Sequence, residues 1–462
     1  MSELLDPGPP CCKVQGLVQK GNTVIAKTDD AGARATPRAL MLLLTLAVAE
    51  ALPRWSWDTV QTYIHCANIT GEWNAGALHR LAQQPFVVFE KNHKLFAPPM
   101  NTSGEAKIAE SCRLVKQLSP TTDCYMYTEN DVARTYDSLG HWFEANPESA
   151  LHCPAGQLVR RSNVVNVDAS GKKHTYSFLA YDFDNAAGRA QWIKRATDAV
   201  ATGYVDGVLI DGNRKNFSAE ILKPCSAAKR QSWSVSYAEA LRTLARALGP
   251  NQTIIANLVT PEDLSVSTGG MEEFGATNDW FGGKPPDAAS RGIPTIMGWH
   301  SKRCGLWNQS CLLDFHGYGT FETELAAFLL GVYEHAYFGY GDGTGYWGGG
   351  GPSACQAWLL DRAEYHRPLG APHGPAKIAS SRFPELKCSM LSAVPDASNT
   401  AGCVYTRSFA SGTAVYVGQF QKPKIDRRTK LSSNFGSCIY WKDGNVTSPN
   451  AADCPPRAAV AV

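Results

Sequence analysis

Short apolar runs without polar interruption alternate along this chain with longer stretches whose apolar residues recur every three to four positions. An unalternated run of β-branched and bulky residues predicts a parallel strand buried on both faces, and the longer period predicts an amphipathic helix. Beyond Trp55 the predicted strands are residues 86–90 (FVVFE), 124–128 (CYMYT), 176–182, 207–211 (GVLID), 253–258 (TIIANL), 269–274 (GGMEEF), 294–299 (PTIMGW) and 336–340 (AYFGY). Between them helices are predicted over 105–118, 131–145 with Asn130 or Asp131 as cap, 186–201, 236–248 ended by Gly249-Pro250, and 322–335. Eight strands separated mostly by helices predict an α/β fold, a (β/α)8 TIM barrel. No Gly-x-Gly-x-x-Gly follows the first strand, which argues against a doubly wound dinucleotide-binding sheet. After the turn-rich residues 367–375 the pattern changes to short β-branched and aromatic runs at 403–406, 413–417 and 438–441, which predict a small C-terminal β-sandwich. The expected organisation is an N-terminal extension over 1–51, a barrel over 52–385 and a β-rich module over 386–462.

Charge and cysteine usage narrow the class. A formal net charge of +2 on 462 residues leaves no basic footprint for nucleic acid and no polybasic patch for a membrane surface. Arg34 and Arg38 precede residues 39–49 (ALMLLLTLAVA), which have the length and flanks of a signal-peptide core ending in an Ala-x-Ala site. Cleavage there gives a secreted protein, whereas an uncleaved segment gives a membrane anchor. Six Asn-x-Ser/Thr sequons, at Asn68, Asn101, Asn216, Asn251, Asn308 and Asn445, agree with export. Twelve of the 14 cysteines follow the apolar segment and form no C-x-x-C pair, so disulfides are expected rather than zinc. Cys304 and Cys311 are close enough to staple one loop.

The predicted strand ends carry the candidate chemistry, because a parallel barrel gathers its functional side chains at that face. They present Glu90, Glu129, Asp182 with Asp184, Asp211, Asn257, Glu272 with Glu273, Trp299 with His300, and Tyr340 with Asp342. So many carboxylates converging on one face repel each other without a structural gain, while glycoside hydrolysis requires two of them across an anomeric carbon. Trp280, Trp299, Tyr340, Tyr346 and Trp347 supply flat rings for sugar faces. Asp211 is the expected nucleophile, with the helix-capping role of aspartate as its structural alternative. Glu272 and Glu273 are adjacent, so only one can face the cleft as the acid. Glu90, Asp182, Asp184, Asn257, Trp299, His300, Tyr340, Asp342 and Trp347 are the expected substrate-binding residues. No cofactor or metal is expected; Ca²⁺ or Mg²⁺ on Asp182, Asp184 and Asp211 is the weaker alternative. The expected partner is a polysaccharide or oligosaccharide, and a non-catalytic carbohydrate-binding or wall-structural barrel is the rival reading.

The stretch GYVDGVLIDG from Gly203 to Gly212, the Trp192 helix, residues 270–274, the YFGYGDG of 337–343, and RPLGA leading to YTRSF at 405–409 resemble TIM-barrel glycoside hydrolases. The resemblance is to the endo-α-1,4-polygalactosaminidases of family 114 and, more distantly, to the α-galactosidase clan, over roughly residues 80–445. In that clan the nucleophile ends the fourth strand and the acid ends the sixth, which implies Asp211 and Glu272 or Glu273 here, with retention of configuration. The clan carries Asp at both places, whereas this chain offers Glu on the sixth.

Overall fold

The computed structural model describes residues 18–20, 23–25, 53–69, 73–97, 102–153, 156–168, 170–211, 221–257, 267–271, 321–332, 334–340, 355–374, 376–381, 403–419, 435–449 and 454. The chain divides into two compact units, Met1–Ala47 and Val48–Val462. In the first, β1 (Val18–Lys20) and β2 (Thr23–Ile25) pair as an antiparallel hairpin. The expected signal segment at 39–49 lies outside the described residues.

Among the described residues the second unit is built on a parallel sheet of six strands. In chain order these are β3 (Ile64–Cys66), β4 (Phe86–Phe89), β5 (Asp123–Glu129), β9 (Gly207–Asp211), β10 (Thr253–Asn257) and β11 (Gly269–Met271), each hydrogen-bonded to the next. At the outer edge of β3, Thr62 forms a parallel bridge to Phe338, so residues 336–340 flank the first strand. The seventh expected strand, 294–299, lies outside the described residues.

Two expectations about strands need correcting. Residues 64–66 (IHC) are too short and too polar to announce a strand, yet they open the sheet and separate 86–89 from 336–340. Conversely, the expected third strand, 176–182, belongs to a separate antiparallel sheet of β6 (Val132–Ala133), β7 (Arg160–Val167) and β8 (Lys173–Ala180). Its first half is polar and solvent-facing, which an edge hairpin tolerates and a doubly covered parallel strand does not. The omission and the surplus cancel, so Gly207–Asp211 remains fourth among the parallel strands.

Strand alternation divides the sheet into two cores. Tyr63, Phe86, Val88, Tyr125, Tyr127, Leu209, Ile255 and Met271 share the inner one with Tyr337. Ile64, Val87, Phe89, Met126, Val208, Ile210 and Ile254 face outwards into the helix-packed core. Gly207 opens β9 because a Cβ there would sit 2.0 Å from the Thr253 carbonyl oxygen.

The covering helices are α1 (Ala75–Ala82), α2 (Gly104–Leu118), α3 (Ser138–Ala145), α4 (Ala186–Ala201) and α5 (Ala227–Leu248). Asn74, Ser103, Asn185 and Ser226 cap α1, α2, α4 and α5 through their side chains. Helix α3 starts seven residues later than expected because Val132–Ala133 is drawn into the antiparallel sheet. Helix α5 starts nine residues earlier: Ser226 caps it, and Trp233 and Tyr237 at i and i+4 bury one face. Arg195 on α4 locks the layers together, donating to Glu105 at 2.6 Å, Asp137 at 2.9 Å and Thr128 at 2.7 Å.

At the C-terminus, β12 (Lys377–Ser381), β13 (Cys403–Ser408), β14 (Ala414–Gln419), β15 (Phe435–Tyr440) and β16 (Val446–Thr447) form one antiparallel sheet. Among the described residues the part expected as a small β-sandwich shows this one antiparallel sheet, backed by a helix. That helix is α6 (Phe321–Gly331), whose Phe321, Leu325, Phe328 and Leu329 share a core with Val415, Ile439 and Trp441. Arg407 of β13 donates to the carbonyls of Leu330 at 3.1 Å and Val332 at 2.6 Å, closing the helix end. Disulfides join Cys66–Cys355, Cys112–Cys124, Cys153–Cys225 and Cys438–Cys454. The expected Cys304–Cys311 bridge lies outside the described residues.

Candidate active site

The same alternation that buries Leu209 and Ile255 on the inner face directs Asp211 and Asn257, two residues further on, to that side at the strands' C-terminal ends. By the same count β3 contributes His65, β4 is followed by Glu90, and β5 contributes Tyr127 and Glu129. All six are buried; Asp211 is 8 % exposed.

Asp211 is held at both oxygens. Asn257 donates its Nδ2 to Oδ1 at 2.7 Å, and the Tyr127 hydroxyl donates to Oδ2. Burial and the adjacent Asp211 push the Tyr127 phenol well above its ordinary value, so it stays a donor. The same hydroxyl accepts from Lys91 Nζ at 3.1 Å, and that ammonium lies 4.2 Å from the Tyr127 ring centroid. Lys91 also pairs with Glu90 Oε2 at 3.0 Å, while His65 Nε2 lies 2.9 Å from Glu90 Oε1. A continuous polar row therefore runs from His65 through Glu90, Lys91 and Tyr127 to Asp211 and Asn257.

Charge assigns different tasks to these carboxyls. Burial pushes Glu90 up, but the Lys91 ammonium and the His65 imidazole outweigh it and hold the group down at about 2. Glu129 is likewise lowered against burial by the Arg134 guanidinium, which donates to its Oε2 at 2.8 Å. Both are committed anions and cannot release a proton to a leaving group near neutral pH. Asp131 behaves oppositely: burial, with the charge of Glu129, raises it to about 7 although Arg161 lies 3.1 Å from its Oδ2. Asp211 is fixed by an amide and a phenol, both neutral donors, and a carboxylate oriented in this way can bond to an electrophile.

Of the expected site residues, Glu90, Asp211 and Asn257 come together in this row. Asp182 and Asp184 follow β8 of the antiparallel sheet, and both bind Lys229 Nζ at 2.8 Å, with Ser232 and Ser236 donating to Asp184. Tyr340 packs into the α6 core, 5.3 Å from Phe321 and 5.3 Å from the Arg362 guanidinium. Glu272, Glu273, Trp299, His300, Asp342 and Trp347 lie outside the described residues. Sequence reasoning passed over His65, Lys91, Tyr127 and Arg134. The available signal was Tyr127, two residues before Glu129 in an unbroken strand and so on the same face. Among the described residues no three His, Cys, Asp or Glu side chains are grouped to hold a metal ion.

A family model described as hypothetical glycosyl hydrolase family 15 matches residues 116–413, which include Tyr127, Asp211 and Asn257 but not His65, Glu90 or Lys91. The chain belongs to that family. No curated protein matches the sequence. Among solved structures, the glycoside hydrolase domain of PelA from Pseudomonas aeruginosa is 13% identical over 55% of this chain and 83% of its own, with a TM-score of 0.36. Ega3 from Aspergillus fumigatus, in complex with galactosamine, is 10% identical over 57% and 80%, with a TM-score of 0.31. A maltogenic α-amylase from Thermotoga neapolitana is 9% identical over 84% and 93%, with a TM-score of 0.43. Likenesses this distant carry no weight for the chemistry of this glycosyl hydrolase family member, which rests on its own residues.

Proposed function

We propose that this chain is an exported glycoside hydrolase acting on an extracellular or cell-wall polysaccharide, with Asp211 as its nucleophile. The observation that carries the reading is the capture of Asp211 by Tyr127 and Asn257 at the end of the fourth parallel strand. In the first step an Asp211 oxygen bonds to the anomeric carbon as the glycosidic C–O bond breaks, and the leaving oxygen takes a proton from a neutral carboxylic acid. Water then displaces Asp211, giving its proton to the same group, now a carboxylate, so that configuration is retained. Glu90 and Glu129 are held as anions, so the acid comes from elsewhere. Glu272 or Glu273 is the proposed acid. Closure of the parallel sheet into a full (β/α)8 barrel, with Glu90 and Asn257 binding substrate hydroxyls, completes the proposal.

Asp131 offers a second source of the proton, because its carboxyl stays protonated to about pH 7. Comparing Glu272→Gln and Glu273→Gln with Asp131→Asn separates these sources, since loss of the acid abolishes turnover on substrates with poor leaving groups and spares activated aryl glycosides. The function itself is tested by incubating the secreted protein with a panel of wall and matrix polysaccharides and analysing reducing ends. Release of oligosaccharides is expected. Saturable binding without any product would support the non-catalytic carbohydrate-binding alternative.

A further inference from the structure

The strand ends opposite Asp211 border a cavity of about 460 Å³. Its lining includes Thr62, which precedes β3, and Gln84 and Pro85, which precede β4, so it lies on the N-terminal side of the parallel sheet. That volume falls within the ~300–1,000 Å³ of small-molecule sites. In a barrel this side ordinarily serves stability. Stability does not account for what lines it here.

Arg80 contributes a guanidinium to the wall and is 9 % exposed. Its Nη1 reaches Asp361 Oδ1 at 3.4 Å, and its Nε has no partner. The same Oδ1 is held at 2.6 Å by His366 Nε2, and Asp361 is half exposed, so one solvated carboxylate serves two bases. Arg54, a second guanidinium in the lining, donates to the carbonyls of Gln83 and Gln84 at 3.1 and 3.2 Å and has Asp123 as its acidic neighbour. Burying an incompletely paired cation is costly unless an anion arrives to complete it. The remaining wall fits a hydroxylated ring: Trp55, fixed by its Nε1 bond to the Ala336 carbonyl, and Tyr365 are aromatic, while Gln61 adds an amide.

We propose that this cavity binds an acidic saccharide, a sugar ring bearing a carboxylate or a sulfate, with Arg80 taking the anionic group. The site is separate from Asp211 and does not depend on the hydrolase reading. Isothermal titration calorimetry of the full chain with galacturonate, galactose 6-sulfate, galactose and inorganic sulfate tests it. At least one of the two acidic sugars binds, galactose and inorganic sulfate bind at least about tenfold more weakly, and Arg80→Gln weakens the acidic sugar about tenfold or more, the loss of one charged hydrogen bond. Which acidic sugar binds more tightly identifies the anionic group. Arg54→Gln, at an exposed side chain, is expected to weaken it about threefold and covers the case in which Arg80→Gln fails to fold. Asp211→Asn binds as the unaltered chain does, which separates this site from the candidate active site. Galactose or inorganic sulfate binding as tightly, acidic-sugar binding that survives both arginine substitutions, or no acidic-sugar binding at ~10 mM, well above a typical mM-range weak site, overturns the proposal.

Discussion

Tyr127 is the residue through which the row acts on Asp211, since it donates to the carboxylate while receiving from Lys91. Tyr127→Phe removes that donor and keeps the ring that Lys91 overlies. The expected outcome is a fall in kcat of about ten- to a hundredfold, the worth of a hydrogen bond to a charged group, with KM and the circular dichroism spectrum nearly unchanged. Steady-state kinetics on the purified variant decides it; a rise in KM at constant kcat would make Tyr127 a binding residue instead. The titrating side chains also set a pH profile for stability. Glu90 is depressed from 4.5 to about 2, so its contribution is present above about pH 4.5 and is lost as pH falls towards 2. Asp137 is raised from 3.8 to about 7 by burial against the pull of Arg195, and Asp131 to about 7, so the native state keeps protons that the unfolded chain releases. Their contribution is present below about 3.8 and is lost as pH rises through 7. Thermal scans from pH 3 to 8 are expected to show Tm highest near pH 4, and a Tm that climbs steadily from pH 5 to 8 would contradict the two aspartates.

At the scale of elements, Arg195 is the tie between α2, α4, β5 and the cap of α3. Arg195→Ala strands Glu105 as a buried, uncompensated carboxylate and takes a donor from Asp137, and a loss of about 3–5 kcal/mol is expected by urea denaturation. A loss under ~1 kcal/mol, typical of an exposed pair, would show that water already screens the site. The elements were unequally legible in the sequence. β9 matches its expected bounds because GVLID is an unalternated run closed by an acid and opened by a glycine that only a close backbone approach explains. β3 was illegible because three residues containing a histidine carry no period, and its identity as a strand comes from pairing with β4. The strand expected at 176–182 is misplaced in the barrel because local pattern does not say which sheet a strand joins. Within the site, the strand-end rule found Glu90, Asp211 and Asn257. It passed over Lys91 and Tyr127, whose roles depend on contacts across neighbouring strands.

At the scale of the whole chain, four disulfides lie among the described residues: two close local loops with sequence separations of 12 and 16, while Cys153–Cys225 spans 72 and Cys66–Cys355 spans 289. Closing so long a loop stabilises by up to ~5 kcal/mol by restricting the unfolded chain. No helix among the described residues is long and apolar enough to cross a membrane. Thiol titration of denatured, unreduced protein collected from culture medium is expected to leave these eight cysteines unreactive, and reaction of most of them would contradict export through an oxidising compartment. Hydrolysis through Asp211, as proposed above, makes the specific activity of Asp211→Asn per folded molecule, with and without azide, the decisive measurement. The isostere keeps volume and polar partners at the strand end but cannot act as an anionic nucleophile. A loss of several orders of magnitude in kcat at nearly unchanged Tm, partly restored by azide as a glycosyl azide, is the predicted result. Full activity per folded molecule together with a lowered Tm would make Asp211 a structural residue and contradict the account.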